Sequence, residues 1–387
     1  MTGARPRIGV VTTSRADFGI YRAVFDALKA RGLDFGVYVA GMHAAPEFGR
    51  TETEITRAGL PVIDRLETLI ASDTESGVAA SIGLGVSAFG YSFTRFKPEL
   101  LIVLGDRFEM HAAALAALPF RIPVAHIHGG EETEGAIDNA LRHSMTKLSH
   151  LHFCSTELSA RRLRAMGEPS DRVIVSGAPA LDAIQTSSPL SAEEMAERFS
   201  VPAGDYVLVT FHPETLAEDG AVEAADTLLG ALDRFGAPVV LTGSNADPAG
   251  RALSARFRDH AAGSDAAVFV ESFGAPGYYT AMRRARVMVG NSSSGIIEAA
   301  GFGLPVVNIG DRQKGRERSA NTIDVAATPD AILDGLRRAD DAAFRARART
   351  ADNVYGDGET GPRIAAGVEA FLQAAPGVRK RFVLDPS

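Results

Sequence analysis

Short continuous runs of apolar residues, each followed by an amphipathic stretch, are the feature that most constrains the fold of this chain. Continuous runs, rather than alternating ones, are typical of strands covered on both faces. Strands that alternate with helices predict parallel sheets with right-handed crossovers. A helix is predicted over Tyr21–Arg31. The first series of predicted strands is Ile8–Thr12, Phe35–Ala40, Leu100–Leu104, Val124–Ile127 and His152–Cys154.

A break in this pattern near Gln185–Glu194 divides the chain, because Thr-Ser-Ser-Pro-Leu-Ser is typical of a linker. Helices are predicted after it at Ala221–Arg234 and Ser294–Gly301. The second series of predicted strands is Tyr206–Thr210, Pro238–Leu241, Ala267–Val270, Val287–Val289 and Pro305–Val307.

The two series predict two domains, for which 387 residues suffice. We predict an α/β fold of two doubly wound, Rossmann-like domains that face each other across a cleft. The predicted boundaries are residues 1–185 and 186–387. The last helix, at about residues 363–374, is a candidate to cross back to the first domain.

The charge, the cysteine content and the lack of long apolar runs argue against several classes of protein. The net charge of −8 and the pI near 5.7 argue against a nucleic-acid partner, which normally contacts a basic patch. The single cysteine, Cys154, excludes an intrachain disulfide and fits a reducing compartment. We find no secretory signal and no uncharged apolar run approaching the ~20 residues of a membrane span. We therefore expect a cytoplasmic protein without a membrane partner.

Polar residues collect where the predicted strands end, which is where open α/β sheets bind ligands. The loop Thr12–Asp17 lacks the Gly-x-Gly-x-x-Gly of dinucleotide-binding proteins, so nicotinamide chemistry is disfavoured. Arg15 in this loop suits a phosphate or substrate contact, or is an ordinary surface arginine. Asp106, after Gly105, is either a helix N-cap or a general acid or base.

The densest polar cluster follows Ile127. Metal binding is an alternative there, but no His-Glu-x-x-His motif and no closed set of soft ligands is present, so we predict neither a metal nor a cofactor. Carboxyl groups that meet in a partly desolvated site have raised pKa values, as acid/base catalysis requires. The cluster comprises His126, His128, Gly129, Gly130, Glu131, Glu132, Glu134, Gly135 and Asp138, with Arg142, His143 and Lys147 on the following helix.

A serine-rich loop, Asn291–Gly295, precedes a predicted helix in the second half. Unpaired N–H groups, the helix dipole and serine hydroxyls together suit a diphosphate. Glu298, one turn later, suits ribose hydroxyls, and Arg312 suits phosphate charge. His212, at the end of another strand, is either a core histidine or a ligand contact.

In their order and spacing, these motifs resemble one family over nearly the whole chain, the hydrolysing UDP-N-acetylglucosamine 2-epimerases. The matching segments are Ser14-Arg15-Ala16-Asp17, Gly105-Asp106-Arg107-Phe108-Glu109, His126-Ile127-His128-Gly129-Gly130-Glu131, Gly135-Ala136-Ile137-Asp138 with Arg142-His143, Asn291-Ser292-Ser293-Ser294-Gly295 with Glu298, and Arg312-Gln313-x-Gly315-Arg316.

The resemblance implies a glycosyltransferase-B-like fold that binds UDP mainly on the second domain and the sugar on the first. It places Asp106 and Asp138 at catalytic positions. His128 stands where the best-known members have glutamate. The His-x-His-Gly-Gly-Glu form, followed by Thr133-Glu134-Gly135, looks like the branch that acts on a 2,4-diacetamido-2,4,6-trideoxy sugar. The nucleotide- or phosphate-binding positions are Ser292, Ser293, Glu298, His212, Asn245 and Arg312.

The resemblance implies a hydrolysing 2-epimerase for nonulosonic acid biosynthesis, with UDP-N-acetylglucosamine or UDP-N,N′-diacetylbacillosamine as its substrate. It forms free 2-epimeric sugar and UDP through a 2-acetamidoglycal, and we expect a homodimer or homotetramer. The alternatives are a non-hydrolysing 2-epimerase, a glycosyltransferase of the same fold and a nucleotide-sugar sensor. The predicted acid/base or orienting residues are Asp106, Glu131, Asp138 and His128, and which one is the base stays open. The predicted substrate- or UDP-binding residues are Arg15, Arg107, Arg142, His212, Asn245, Ser292, Ser293, Ser294, Gly295, Glu298 and Arg312.

Overall fold

The computed structural model describes residues 7–45, 51–70, 74–132, 137–212, 220–244 and 248–384. The strands are β1 (Ile8–Thr12), β2 (Phe35–Val39), β3 (Val62–Arg65), β4 (Leu100–Leu104), β5 (Val124–Ile127), β6 (Leu151–Cys154), β7 (Val173–Val175), β8 (Val207–Thr210), β9 (Val239–Thr242), β10 (Ala267–Val270), β11 (Val287–Gly290), β12 (Val306–Ile309) and β13 (Thr322–Val325). The helices are α1 (Arg15–Ala30), α2 (Glu52–Arg57), α3 (Glu75–Arg95), α4 (Phe108–Ala117), α5 (Ile137–Leu148), α6 (Glu157–Ala165), α7 (Ala180–Thr186), α8 (Ala192–Phe199), α9 (Ala221–Phe235), α10 (Pro248–Ala262), α11 (Gly274–Arg284), α12 (Ser293–Ile297), α13 (Pro329–Asp340), α14 (Ala342–Arg349) and α15 (Thr360–Ala374).

The strands form two wholly parallel sheets, which confirms the predicted doubly wound α/β class. The seven-stranded sheet has the order β3-β2-β1-β4-β5-β6-β7, and the six-stranded sheet has the order β10-β9-β8-β11-β12-β13. In each sheet the chain first winds outward and then returns to the centre. The winding therefore reverses between β1 and β4, and again between β8 and β11. Ligands of open α/β sheets bind at the carboxyl ends of the strands at such a reversal.

Side chains alternate between the two faces along each strand of the six-stranded sheet, and both faces are buried. Val207 and Val209 pack in a core with α9 and α13. Tyr206 and Leu208 point the other way, into a separate core that includes Met282 of α11. Burial on both faces explains why these strands have continuous apolar sequences.

Three strands without a sequence prediction, β3, β7 and β13, all lie at the edges of the sheets. The sequence Val-Ile-Asp-Arg of β3 and Thr-Ile-Asp-Val of β13 mix charged and apolar residues, and β7 has only three residues. An edge strand is covered less completely, which permits the charged residues of β3 and β13. The fourth edge strand, β10, keeps the apolar run Ala-Val-Phe-Val and was predicted.

Two helices differ in their bounds from the predictions. α1 begins at Arg15 rather than Tyr21, because Ser14 and Asp17 form a capping box at its start. The single helix predicted over Ser294–Gly301 is instead the short α12, followed by a 3₁₀ helix over Ala299–Phe302.

Contacts divide the chain into two compact units. The first comprises Met1–Glu131, Ala136–Ala183 and Tyr355–Ser387, and the second comprises Glu132–Gly135 and Ile184–Val354. α15 belongs to the first unit and packs against α1, where Gly361 approaches the Ala23 carbonyl so closely that a Cβ would lie 2.5 Å from its oxygen. The buried Asp182 carboxylate accepts hydrogen bonds from the Thr360 and Gly361 N–H groups at the start of α15.

The helix α3 corrects the expectation that no uncharged apolar run approaches the length of a membrane span. Residues 76–94 carry no charge, and among the described residues α3 is long and apolar enough to cross a membrane. Length and composition are weak evidence, because core helices share them. Phe89 and Phe93 of α3 are buried in the core of the first unit.

Candidate active site

The loop after β1 is held rigidly by Asp17. Its Oδ2 accepts hydrogen bonds from Thr13 N (2.9 Å), Thr13 Oγ1 (2.7 Å) and Ser14 N (3.0 Å), and Oδ1 accepts one from Thr12 Oγ1. Arg15 begins α1 instead of lying in the loop. Its side chain is 69% exposed and pairs with Glu54 at 2.7 Å. Asp17 therefore shapes this corner of the sheet, while Arg15 remains available at the surface.

Asp106, at the carboxyl end of β4, forms an ion pair with Arg142 of α5. Arg142 is 3% exposed in its side chain, whereas Asp106 is 26% exposed, so the pair presents its carboxylate to the solvent side. The preceding Gly105 has φ +72°, a conformation that favours glycine. Its carbonyl accepts a hydrogen bond from His126 Nε2 at 2.7 Å. Burial lowers the pKa of His126 to about 3, so this histidine is neutral and structural.

Asp138 lies one helical turn before Arg142 on α5. Burial, and then the nearby carboxylate of Asp106, raise the pKa of Asp138 above its ordinary value. Two carboxyl groups with different environments are the arrangement that separates an acid from a base. Asp106 is held by an arginine, whereas the pKa of Asp138 is raised.

His128, Glu131 and Ser155 form a second cluster at the end of β5. His128 Nδ1 donates to Glu131 Oε1 at 2.5 Å, and Ser155 Oγ donates to the same oxygen at 2.7 Å. Because Nδ1 carries the proton, Nε2 of a neutral His128 is the atom able to accept another. His128 has φ +66°, which is uncommon for a residue with a side chain. The backbone turn at His128 thus places its imidazole against the Glu131 carboxylate.

Arg107 precedes α4 directly and is held by Glu109 in the first turn of that helix. Its guanidinium donates to the buried Glu109 carboxylate at 2.7 and 3.2 Å. If Arg107 contacts the substrate as predicted, the ion pair with Glu109 orients its guanidinium group.

In the second unit, Asn291 organises the end of β11. Its side chain accepts from His212 N and donates to His212 O, each at 2.8 Å. The backbone carbonyl oxygen of Asn291 accepts hydrogen bonds from Arg312 Nη1 at 3.0 Å and from Gln313 Nε2 at 2.9 Å. Gly290, at φ +145°, approaches Thr210 so closely that a Cβ would lie 2.0 Å from its carbonyl oxygen. Asn291 therefore brings together the predicted phosphate contacts His212 and Arg312.

The serine loop continues from Asn291 into α12. Ser292 caps the helix by accepting from Ser294 N, and its hydroxyl lies 2.9 Å from Ser294 Oγ. α12 has only five residues, so its macrodipole is weaker than the sequence analysis assumed. The Gly295 N–H group already donates to the Ser292 carbonyl oxygen at 3.2 Å, so the predicted phosphate contact through Gly295 is not supported. The hydroxyls of the serine loop and the N–H group of Ser293 are the donors that matter here.

Glu298 directly follows α12. Part of the residue is exposed, but the surrounding protein raises the pKa of its carboxyl group, through burial, to about 7. Within the described part of the chain, no cation offsets the effect of burial on this carboxyl group. Hydrogen bonds from a bound ligand would do so.

The structure brings the predicted residues into three groups. Two lie in the first unit: Asp106, Asp138 and Arg142 form one, and His128 and Glu131 form the other. In the second unit, Ser292, His212 and Arg312 surround Asn291. Asn245 lies outside the described residues, as do Thr133, Glu134 and Gly135. Across the described ranges, no group of three or more His, Cys, Asp or Glu side chains is placed to hold a metal ion.

Sequence reasoning missed Ser155, Thr210 and Tyr278, which carry no local motif. Their partners are distant in the chain: Ser155 bonds to Glu131, and Tyr278 lies within hydrogen-bond distance of Thr210 and Ser294. Glu109 was part of a matching motif, but its ion pair with Arg107 was not predicted.

Comparisons with known proteins find relatives that align over most of this chain. The model of the UDP-N-acetylglucosamine 2-epimerase family matches residues 26–369. A UDP-N,N′-diacetylbacillosamine 2-epimerase (hydrolyzing) of Legionella pneumophila is 35% identical over 359 residues, which cover 92% of this chain and 94% of that protein. A GDP/UDP-N,N′-diacetylbacillosamine 2-epimerase (hydrolyzing) of Campylobacter jejuni is 35% identical over 325 residues, which cover 83% of this chain and 84% of that protein.

A solved structure shows the same fold. The UDP-GlcNAc 2-epimerase from Neisseria meningitidis bound to UDP-GlcNAc has a TM-score of 0.79 to this chain at 19% identity, covering 95% of this chain and 99% of that chain. This likeness confirms the predicted glycosyltransferase-B-like fold. With the family match over most of the sequence, it leads to one conclusion: the chain belongs to the UDP-N-acetylglucosamine 2-epimerase family.

Proposed function

We propose that this protein is a hydrolysing UDP-sugar 2-epimerase that releases UDP and the free 2-epimeric sugar. The observation that carries the proposal is the acid/base cluster of the first unit, in which Asp106 is paired with Arg142 and the pKa of Asp138 is raised. Relatives named as hydrolysing 2-epimerases, aligned over most of this chain, support it.

The substrate we propose is UDP-N,N′-diacetylbacillosamine in preference to UDP-N-acetylglucosamine. The support is that both relatives compared above carry the diacetamido sugar in their names, at 35% identity. The product is then 2,4-diacetamido-2,4,6-trideoxymannose, a precursor suited to nonulosonic acid synthesis. N-acetylmannosamine is the product if UDP-N-acetylglucosamine is used.

The first chemical step we propose is elimination. A base removes the proton from C2 while the C1–O bond breaks, which gives a 2-acetamidoglycal and UDP. The C2 proton is weakly acidic, so the charge must develop largely on the departing diphosphate. Arg312, His212 and the hydroxyls of Ser292 and Ser294 are the groups that we assign to that charge. They therefore act in catalysis as well as in binding.

The second step we propose is hydration. Water adds its oxygen to C1 and a proton returns to C2 on the opposite face, so two different protein groups must handle the C2 proton. His128 and Asp138 are our assignments. Glu131 orients the imidazole of His128 and stabilises its charged form, as a carboxylate does in a catalytic triad. Asp138, with its raised pKa, supplies or accepts the other proton.

The nucleotide-binding role belongs to the second domain in this proposal and the sugar chemistry to the first, with boundaries near residues 185 and 186. We also propose a cytoplasmic homo-oligomer, a dimer or tetramer, as the working form. Light scattering coupled to size-exclusion chromatography measures the mass directly, and a monomer would contradict this part.

NMR of the reaction in D₂O tests the proposed function. Each candidate UDP-sugar is incubated with the enzyme, and the spectra follow free UDP, free reducing sugar and deuterium at C2. We expect all three signals, and faster with the diacetamido substrate. An epimeric sugar still attached to UDP would identify a non-hydrolysing epimerase. Turnover that depends on an added acceptor would identify a glycosyltransferase, and UDP binding without turnover would identify a sensor.

A further inference from the structure

A chain of hydroxyl groups runs behind the serine loop and centres on Tyr278 of α11. The phenolic oxygen lies 2.7 Å from Ser294 Oγ and 3.0 Å from Thr210 Oγ1. Ser294 Oγ in turn lies 2.9 Å from Ser292 Oγ. At the far end, Thr242 Oγ1 lies 3.2 Å from Thr210 Oγ1. Three secondary-structure elements thus meet at one phenol.

We propose that Tyr278 is a positioning residue for nucleotide binding, whose hydroxyl orients Ser294 so that the serine loop donates hydrogen bonds to a phosphate group. This inference rests on the proposed function, which makes the serine loop the diphosphate site. It goes beyond that function because Tyr278 acts on the phosphate through Ser294, without needing to touch the ligand itself.

The argument follows from the single proton that each hydroxyl carries. Thr242 Oγ1 lies 2.9 Å from the Val209 carbonyl oxygen as well as near Thr210, so it donates to one or the other. If Thr242 donates to Val209, its oxygen can accept from Thr210, which permits an inward order in which Tyr278 donates to Thr210 and Ser294 donates to Tyr278. If Thr242 donates to Thr210, the outward order is favoured, in which Thr210 donates to Tyr278 and Tyr278 donates to Ser294.

A phosphate oxygen only accepts hydrogen bonds, so it selects the outward order. In that order the protons of Ser292 and Ser294 are both available to the ligand. Tyr278 donates to the Ser294 oxygen, which polarises the Ser294 hydroxyl and makes it a stronger donor. Burial raises the pKa of Tyr278 to about 12, so the phenol keeps its proton throughout the working range of pH.

A purely structural role is the competing explanation, since a buried phenol needs hydrogen-bond partners in any case. The two roles differ in what they affect. If the role of the phenol is purely structural, its loss changes the affinity for every ligand of the second unit equally. A positioning phenol contributes only to ligands that carry phosphate, and only when Ser294 has its hydroxyl.

The test is Tyr278→Phe, with titration calorimetry of UDP and of uridine as probes. Tyr279→Phe is the matched control, because Tyr279 is the next residue on α11 and its ring packs 6.1 Å from that of Phe302. We expect Tyr278→Phe to weaken UDP binding about fivefold, the effect of one neutral hydrogen bond, and to leave uridine binding unchanged. The control should bind both as the wild type does.

A double-mutant cycle with Ser294→Ala completes the test. If Tyr278 acts through Ser294, Tyr278→Phe has no further effect on UDP affinity in the Ser294→Ala background. Unchanged UDP affinity in Tyr278→Phe, an equal loss for uridine, or additive effects in the double variant would each overturn the inference. Failure of the wild-type protein to bind UDP would instead refute the proposed function.

Discussion

Replacing Glu298 with glutamine should stabilise the free protein and weaken nucleotide binding. Burial raises the pKa of Glu298 from its ordinary value of 4.5 to about 7. At about 1.4 kcal/mol per pKa unit, this difference corresponds to about 3 kcal/mol of unfavourable free energy for the ionised form. Because part of the residue is exposed, solvent screening reduces the expected effect to about 1–2 kcal/mol.

The pH dependence of this effect has a definite sign. The native state holds the Glu298 proton more tightly than the unfolded chain does. The residue therefore costs no stability well below pH 4.5, costs progressively more as the pH rises from 4.5 to about 7, and costs its full amount above that. Glu298→Gln removes the cost, and its advantage at pH 5 should be about a quarter of that at pH 8.

Thermal unfolding at pH 5 and pH 8 measures the prediction. A stabilisation of about 1–2 kcal/mol in a unit of this size raises the melting temperature by roughly 2–8 °C at pH 8. Glu223→Gln, on the exposed surface of α9, is the matched control and should change little at either pH. In the same samples, UDP affinity should fall for Glu298→Gln, since the carboxylate is our proposed acceptor for ribose hydroxyls. Equal stabilisation at both pH values, or none, would refute the assignment of the raised pKa to burial.

Three other substitutions test separate parts of the structure. Asp106→Asn should lower the rate of UDP release by at least ~10²-fold, because it removes the carboxylate that pairs with Arg142 and raises the pKa of Asp138; circular dichroism should show an intact fold, and near-normal turnover would remove Asp106 from catalysis. Gly130→Ala should destabilise the protein by at least about 2 kcal/mol in denaturant titration, because φ is +78° and a Cβ would lie 2.3 Å from the Ser159 carbonyl oxygen. Lys380→Met should lower stability by about 1–3 kcal/mol, since its ammonium group lies 2.7 Å from the buried Glu168 carboxylate; an unchanged melting temperature would contradict this.

The ion pair of Lys380 also has a consequence for acid stability. Burial alone would raise the pKa of Glu168, but hydrogen bonds from His152, Lys147 and Lys380 outweigh it and lower the pKa to about 2. This stabilisation is present above pH 4.5 and is lost as the pH falls toward 2. The same ammonium group donates to the carbonyls of Thr146 and Ser149 at the end of α5, the helix that carries Asp138.

Much of the fold could be predicted from the sequence because central strands are apolar on both faces. The predicted bounds of β1, β4, β5 and β10 match the observed ones residue for residue. Three of the four edge strands escaped prediction, because β3 and β13 carry polar residues that solvent on one side permits and β7 has only three residues. The predicted length of α12 was also wrong. The change from α-helix to 3₁₀ helix is not visible in the pattern of apolar residues.

The sequence by itself determined that polar, glycine-rich loops end the central strands, and its motifs identified the family. Only the tertiary structure decided which side chains share an environment. Asp106 and Arg142 are 36 positions apart and Tyr278 and Ser294 are 16 apart, and in each pair one partner lies on a helix that packs beside a strand end. The pKa of Asp138 and of Glu298 depends on the atoms that surround each carboxyl group. The sequence does not show which atoms surround a carboxyl group, because packing brings those atoms together from distant segments.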